Sequence, residues 1–101
     1  MNRFKLFKSS ALYHGTSIEN LKEVTPQDGK PAFATDDIRL ALVHGMKHGF
    51  ENARVYKVKP KKGADLKTYK SRGRDSVQSQ VGFDVIKEVK NAKVKYQPHS
   101  F

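Results

Sequence analysis

Residues 11–21, Ala-Leu-Tyr-His-Gly-Thr-Ser-Ile-Glu-Asn-Leu, compress a strand, a polar turn and a helix start into eleven positions. Leu12 and Tyr13 favour extended backbone. Thr16, followed three residues later by Glu19, has the spacing of a capping box. It predicts a helix with Ile18 and Leu21 on one face, running to about Val24, where Pro26 ends it. His14 and Gly15 then fall at a strand end, where a side chain meets a crevice and a glycine admits a ligand close to the backbone. The alternative is a hydrogen-bonded histidine beside a glycine that relieves a turn.

A chain of 101 residues with 37% hydrophobic content supports one domain and one modest core. Residues 1–9 read as an N-terminal arm or short strand, and residues 98–101 as a tail. With no cysteine, disulfides, cysteine-ligated zinc and a cysteine nucleophile are excluded. No apolar run is long enough to span a membrane and no export signal is evident, so a cytoplasmic protein without membrane contact is expected. Twenty Lys and Arg against ten acidic residues leave a formal charge of +10. A surface so basic attracts polyanions: nucleic acid, an acidic protein or a phosphate-bearing nucleotide.

Further along, Gln27 to Pro31 reads as a polar loop and Ala32-Phe33-Ala34 as a short buried strand. Thr35-Asp36-Asp37 begins the best-patterned helix, with Thr35 as cap and both aspartates suited to its positive end. Ile38, Ala41, Leu42, Gly45 and Met46 form one apolar stripe, and Gly49 marks the stop. In Arg54–Pro60, strand alternation puts Tyr56 and Val58 on one face and Val55, Lys57 and Lys59 on the other. Residues 61–82 read as a long loop broken by a short strand near Leu66–Tyr69. Phe83–Val89 and Ala92–Tyr96 read as strands, paired around Lys90-Asn91. Helices early and strands late predict an α+β fold with two short helices and a mixed, mainly antiparallel sheet.

His44 and His48 stand one helical turn apart, but no HExxH pattern or third ligand accompanies them, so no metal site is expected. Between Arg54 and Arg74 lie nine basic residues, Arg54, Lys57, Lys59, Lys61, Lys62, Lys67, Lys70, Arg72 and Arg74, and one acid, Asp65. With Tyr56 and Tyr69 interleaved, this run suits phosphate contact with base stacking, or an acidic protein partner.

Four segments in order carry a resemblance: Tyr13-His14-Gly15-Thr16; Ala32-Phe33-Ala34-Thr35-Asp36 leading into a helix; Arg54-Val55-Tyr56-Lys57-Val58-Lys59-Pro60; and Phe83-Asp84-Val85-Ile86-Lys87-Glu88-Val89. Over about residues 11–90 the chain resembles the small ADP-ribosyltransferases of the rifampin-modifying type. The resemblance implies a split β-sandwich whose cleft binds NAD as substrate and transfers ADP-ribose with release of nicotinamide. It implies that His14 bonds the adenosine-side ribose, that Gly15 and Thr16 offer backbone contact to the nicotinamide amide, that Phe33 or Tyr56 packs near the ring, and that Tyr13 belongs to the same cofactor site. Where the family has a tyrosine on its second strand, this chain has Ala32 and Phe33, without a hydroxyl. The family's acidic position falls on Thr68, leaving Asp65 or Asp75 to supply the carboxylate. Two functions follow: an NAD-binding, ADP-ribosyltransferase-like domain with an acidic-protein or nucleic-acid acceptor, or a non-catalytic basic module holding such a partner through residues 54–74.

Overall fold

A computed structural model describes residues 11–71 and 74–95. Among the described residues, seven strands form one sheet: β1 (Leu12–Thr16), β2 (Glu23–Val24), β3 (Ala32–Thr35), β4 (Arg54–Pro60), β5 (Lys67–Ser71), β6 (Arg74–Ser79) and β7 (Phe83–Glu88). Their order across the sheet is β2-β7-β4-β1-β3-β6-β5 and every neighbouring pair is antiparallel. A single α-helix among the described residues, α1 (Ile38–Gly45), continues as a 3-10 turn to His48. The expected α+β split sandwich, with mixed strands and two helices, is therefore corrected to a small β-rich fold with one helix.

The missing helix is instructive. Thr16 Oγ1 accepts from Ile18 N at 3.2 Å, closing a local turn in place of a capping box. Asn20 takes φ 54°, a left-handed conformation that no helix interior accepts. The buried Tyr56 hydroxyl donates to Ile18 O at 2.6 Å and accepts from Leu21 N at 3.4 Å. Glu19 turns to Arg54 at 3.4 Å. A residue far along the chain thus takes the backbone groups that a helix would have used, and Glu23-Val24 leaves the segment as strand β2. The loop that follows is a two-residue hairpin: Gln27 and Lys30 exchange both backbone hydrogen bonds around Asp28 and Gly29, whose φ values are 52° and 72°.

The stripe expected on α1 holds: Ala41, Leu42 and Gly45 are buried, and Ile38 and Met46 pack beside them. Its cap is Asp37, whose carboxylate accepts from Arg39 N at 2.8 Å and Leu40 N at 3.2 Å. Thr35 serves one step earlier, accepting from Asp37 N and donating to Asp75 O at 2.8 Å. β5 (Lys67–Ser71) matches the short strand expected near Leu66–Tyr69, β6 (Arg74–Ser79) pairs with it as a hairpin where loop was expected, and Ala92–Lys95 is a 3-10 turn where a strand was expected. The hairpin carries few apolar residues because β5 is an edge strand, and β6 gains its place from full pairing with β3, Ala32 to Thr35 against Ser79 to Ser76. Residues 1–9, Tyr96 and the tail lie outside the described residues.

Strand alternation divides the apolar residues between the two faces of the sheet, as read for β4. Leu12, Val24, Ala32, Ala34, Tyr56, Val58, Val77 and Phe83 form one core. On the opposite face Val55, with Tyr13 and Val89 beside it, packs against α1, Ala53 and Ala92. The sheet is thinnest in its middle. β1 and β3 share one ladder pair, Tyr13 with Thr35, whereas β1 and β4 share five.

Candidate functional site

Past the Tyr13–Thr35 pair, β1 and β3 share no further ladder pair with each other, and the His14 imidazole bonds across to β3 instead. Its Nδ1 lies 2.9 Å from Phe33 O. A carbonyl only accepts, so Nδ1 carries the proton and donates; in the neutral ring, Nε2 is then an acceptor. Burial pushes the His14 pKa below its ordinary 6.5, against the pull of the Phe33 carbonyl and with His44 adding to the lowering. The ring is thus held neutral, in one tautomer, with Nε2 available to a donor.

A cleft of about 340 Å³ opens at this place. His14 and Thr16 of β1 line it with Ala32 and Phe33 of β3. The rest of the wall comes from the segment that was expected to be helical, Ile18, Leu21 and Val24, and from the 27–30 hairpin with Asp28 and Lys30 at the rim. An apolar wall with a few polar groups suits a planar ring carrying hydroxyl or amide donors. Tyr56 holds this wall through its bonds to Ile18 and Leu21, yet is itself 2% exposed and has no ring face open to a ligand.

The remaining sequence-derived residues separate. Tyr13 and Gly15 face α1, on the far side of the sheet from the cleft, and an added Cβ on Gly15 would meet Ala41 O. The backbone of Phe33 serves His14, while its ring meets Tyr69 edge to face at 6.0 Å. Asp75 lies outside the cleft on β6, paired with Lys70 at 2.6 Å. The carboxylates that do line the cleft are Glu23 and Asp28, and Glu23 is engaged by Lys61. Sequence reasoning missed both Glu23 and the hairpin wall; the Asp28-Gly29 dipeptide, a hairpin turn signal, was their one trace.

The basic run is also redistributed. Arg54 pairs with Glu19 and with Glu88 at 3.2 Å, Lys61 with Glu23 and Asp84, and Lys70 with Asp75. Lys57, Lys59, Lys62 and Lys67 have no ion pair among the described residues. Arg72 lies outside the described residues, and of Arg74 only the backbone, at the start of β6, is described. No helix among the described residues is long and apolar enough to cross a membrane.

The lowered His14 pKa makes stability depend on pH. The unfolded chain binds a proton at His14 near pH 6.5 while the folded chain resists it, so the stabilisation is complete above 6.5 and lost as pH falls toward the folded value. Urea unfolding is expected to show lower stability near about pH 5 than near about pH 7.5. In His14→Ala that pH slope should shrink, and an unchanged slope would mean that the histidine is not held neutral.

No known protein family, curated protein or solved structure matches this chain.

Proposed function

We propose that the chain binds NAD or a related nucleotide in the cleft at His14, with one nucleoside inside and the phosphates directed outward. The observation that carries this reading is the His14–Phe33 hydrogen bond in the cleft wall: Nδ1 is spent on Phe33 O and, with burial disfavouring the charged ring, Nε2 is left to accept from a ribose hydroxyl or carboxamide N–H. The volume, about 340 Å³, suits one nucleoside rather than a whole dinucleotide. Transfer of ADP-ribose requires a carboxylate beside the oxocarbenium-like centre. Asp75 lies outside the cleft, Glu23 is neutralised by Lys61, and the remaining cleft carboxylate, Asp28, stands on the 27–30 hairpin turn rather than on a strand beside His14. Binding, rather than transfer, is the activity that this arrangement favours.

Calorimetry with NAD, adenosine and nicotinamide mononucleotide tests it. The intact protein should bind at least one of the three, and His14→Ala should weaken that binding about tenfold or more, the equivalent of roughly 1.4 kcal/mol from one lost hydrogen bond. Equal affinity in the folded variant, or no heat from any of the three, overturns the site. Mass spectrometry should find NAD intact after incubation; released nicotinamide would instead establish a transferase.

A further inference from the structure

On the face that carries α1, β4 and β7 place two lysines directly opposite each other. The register pairs Lys57 with Lys87, then shifts, so that Val58 meets Val85, Lys59 meets Asp84 and Pro60 meets Phe83. The shift leaves Ile86 as an extra residue on β7, a β-bulge. Without it, Ile86 would stand opposite Lys57; with it, Lys87 does. The faces agree with this count: Val85 packs into the core around Tyr56 and Phe83, while Val89, two residues beyond Lys87, packs against the helix side. The bulge therefore turns Lys87 onto the face of Lys57, and bulges commonly re-aim a side chain in this way.

Like charges opposed across a ladder are unfavourable, and among the described residues the nearby carboxylates are engaged elsewhere. Asp84 is drawn to Lys61 at 3.2 Å, and Glu88 is held by Arg54 and by Lys90 at 3.5 Å. Lys57 and Lys87 have no ion pair among the described residues. Lys59 follows two positions along β4 from Lys57, and Ile86 is 51% exposed beside them. The strip presents three cations, with Asp84, opposite Lys59, drawn to Lys61. Within the basic run, Arg54 is already taken by carboxylates, and the three residues of the strip are all lysines. Ammonium groups act as point charges toward phosphate, whereas planar recognition of carboxylates favours arginine.

We propose that Lys57, Lys59 and Lys87 form a contact surface for the phosphodiester backbone of nucleic acid, on the opposite face of the sheet from the His14 cleft. It holds the strand by charge and reads no sequence. This surface stands independently of the cleft reading, since nucleotide binding at His14 is measured by a separate titration and neither result bears on the other.

The test is fluorescence anisotropy with a labelled 20-nucleotide single strand and its duplex across a series of salt concentrations. The wild-type chain should bind with an affinity that falls linearly in logarithmic salt. Lys57→Ser combined with Lys87→Ser should weaken binding about tenfold or more at low salt. It should also flatten the slope by about 1.4 for the single strand or about 1.8 for the duplex, as expected when two phosphates are no longer neutralised. The larger loss identifies the form bound. Lys70→Ser with Lys90→Ser removes the same charge from lysines already in ion pairs and should lose much less. An equal loss there would reduce the effect to net charge and overturn the proposal. So would polyglutamate competing as well as DNA at matched charge, which would identify an acidic polypeptide as the partner. The Lys57/Lys87 variant should melt no lower than wild type, because it removes a repulsion; a lower melting point would overturn the premise.

Discussion

Gly15→Ala is expected to lose a large share of the stability of the fold. A Cβ at this position would stand 1.6 Å from Ala41 O, 2.6 Å from Ala41 C and 2.9 Å from Gly45 N. All three are helix backbone, so no rotamer change relieves the clash and α1 must lift from β1. Gly45 repeats the constraint from the helix side, where an added Cβ would lie 2.9 Å from Thr16 N. Two glycines let helix and strand backbones touch. Lifting α1 exposes Ala41 and Leu42, both at 0% exposure. A loss of about 3 kcal/mol or more, at or above the upper end of ordinary overpacking, is expected. For a domain of this size that lowers the melting temperature by roughly 12–24 °C. Gly63→Ala, with φ 82° and nothing within 4 Å of the added Cβ, isolates the backbone term and should cost only about 1–2 kcal/mol. Thermal unfolding followed by circular dichroism measures both, and similar losses would show that the helix contact is not the cause.

Phe83→Ala should be comparably severe through the opposite mechanism. Phe83 has 0% exposure and lies on β7 where that strand pairs with Val24 of β2 on one side and Pro60 of β4 on the other. Truncation leaves a void among Val24, Tyr56 and Val58, and a cost of about 3–5 kcal/mol follows from lost transfer energy and the unfilled space. Global stability for domains of this kind is about 5–15 kcal/mol, so the variant approaches the unfolding threshold. Urea titration should show a lower midpoint with an unchanged slope. Phe83→Leu, which keeps apolar volume, should lose distinctly less. Val24 is part of the cleft wall, so the alanine variant should also weaken any nucleotide bound at His14.

These two positions show what was legible in the residues and what was not. The stripe from Ile38 to Met46 and the alternation in β4 are local patterns, and packing enforces them as written. The supposed helix at Ile18–Val24 also had a local signal, but Tyr56 takes its carbonyl and amide from more than thirty residues away, and Asn20 adopts a backbone that no pattern announces. The β5–β6 hairpin is specified by β3, not by its own hydrophobicity. In the site, His14 could be singled out by type and position. Its tautomer depends on the Phe33 carbonyl, which becomes a partner only because β1 and β3 share a single pair. Gly15 was singled out for ligand approach, and its neighbour proves to be the helix. The basic run could be counted but not sorted, because ion pairing is a property of register: Lys61 and Lys70 find acids, while Lys57 finds another lysine.

The single Tyr13–Thr35 pair has a consequence for how the chain can be cut. On one side of it lie β2, β7, β4 and β1; on the other lie β3, β6 and β5. In chain order the strands alternate between the two groups: two on the first side, one on the second, then one, two and one. Neither ladder is a continuous stretch of polypeptide: β4 interrupts β3, β5 and β6, while β3 and the β5–β6 pair interrupt β1, β2, β4 and β7. The two halves of this one sheet are interleaved in sequence, so neither half can be exchanged by recombination as one continuous segment.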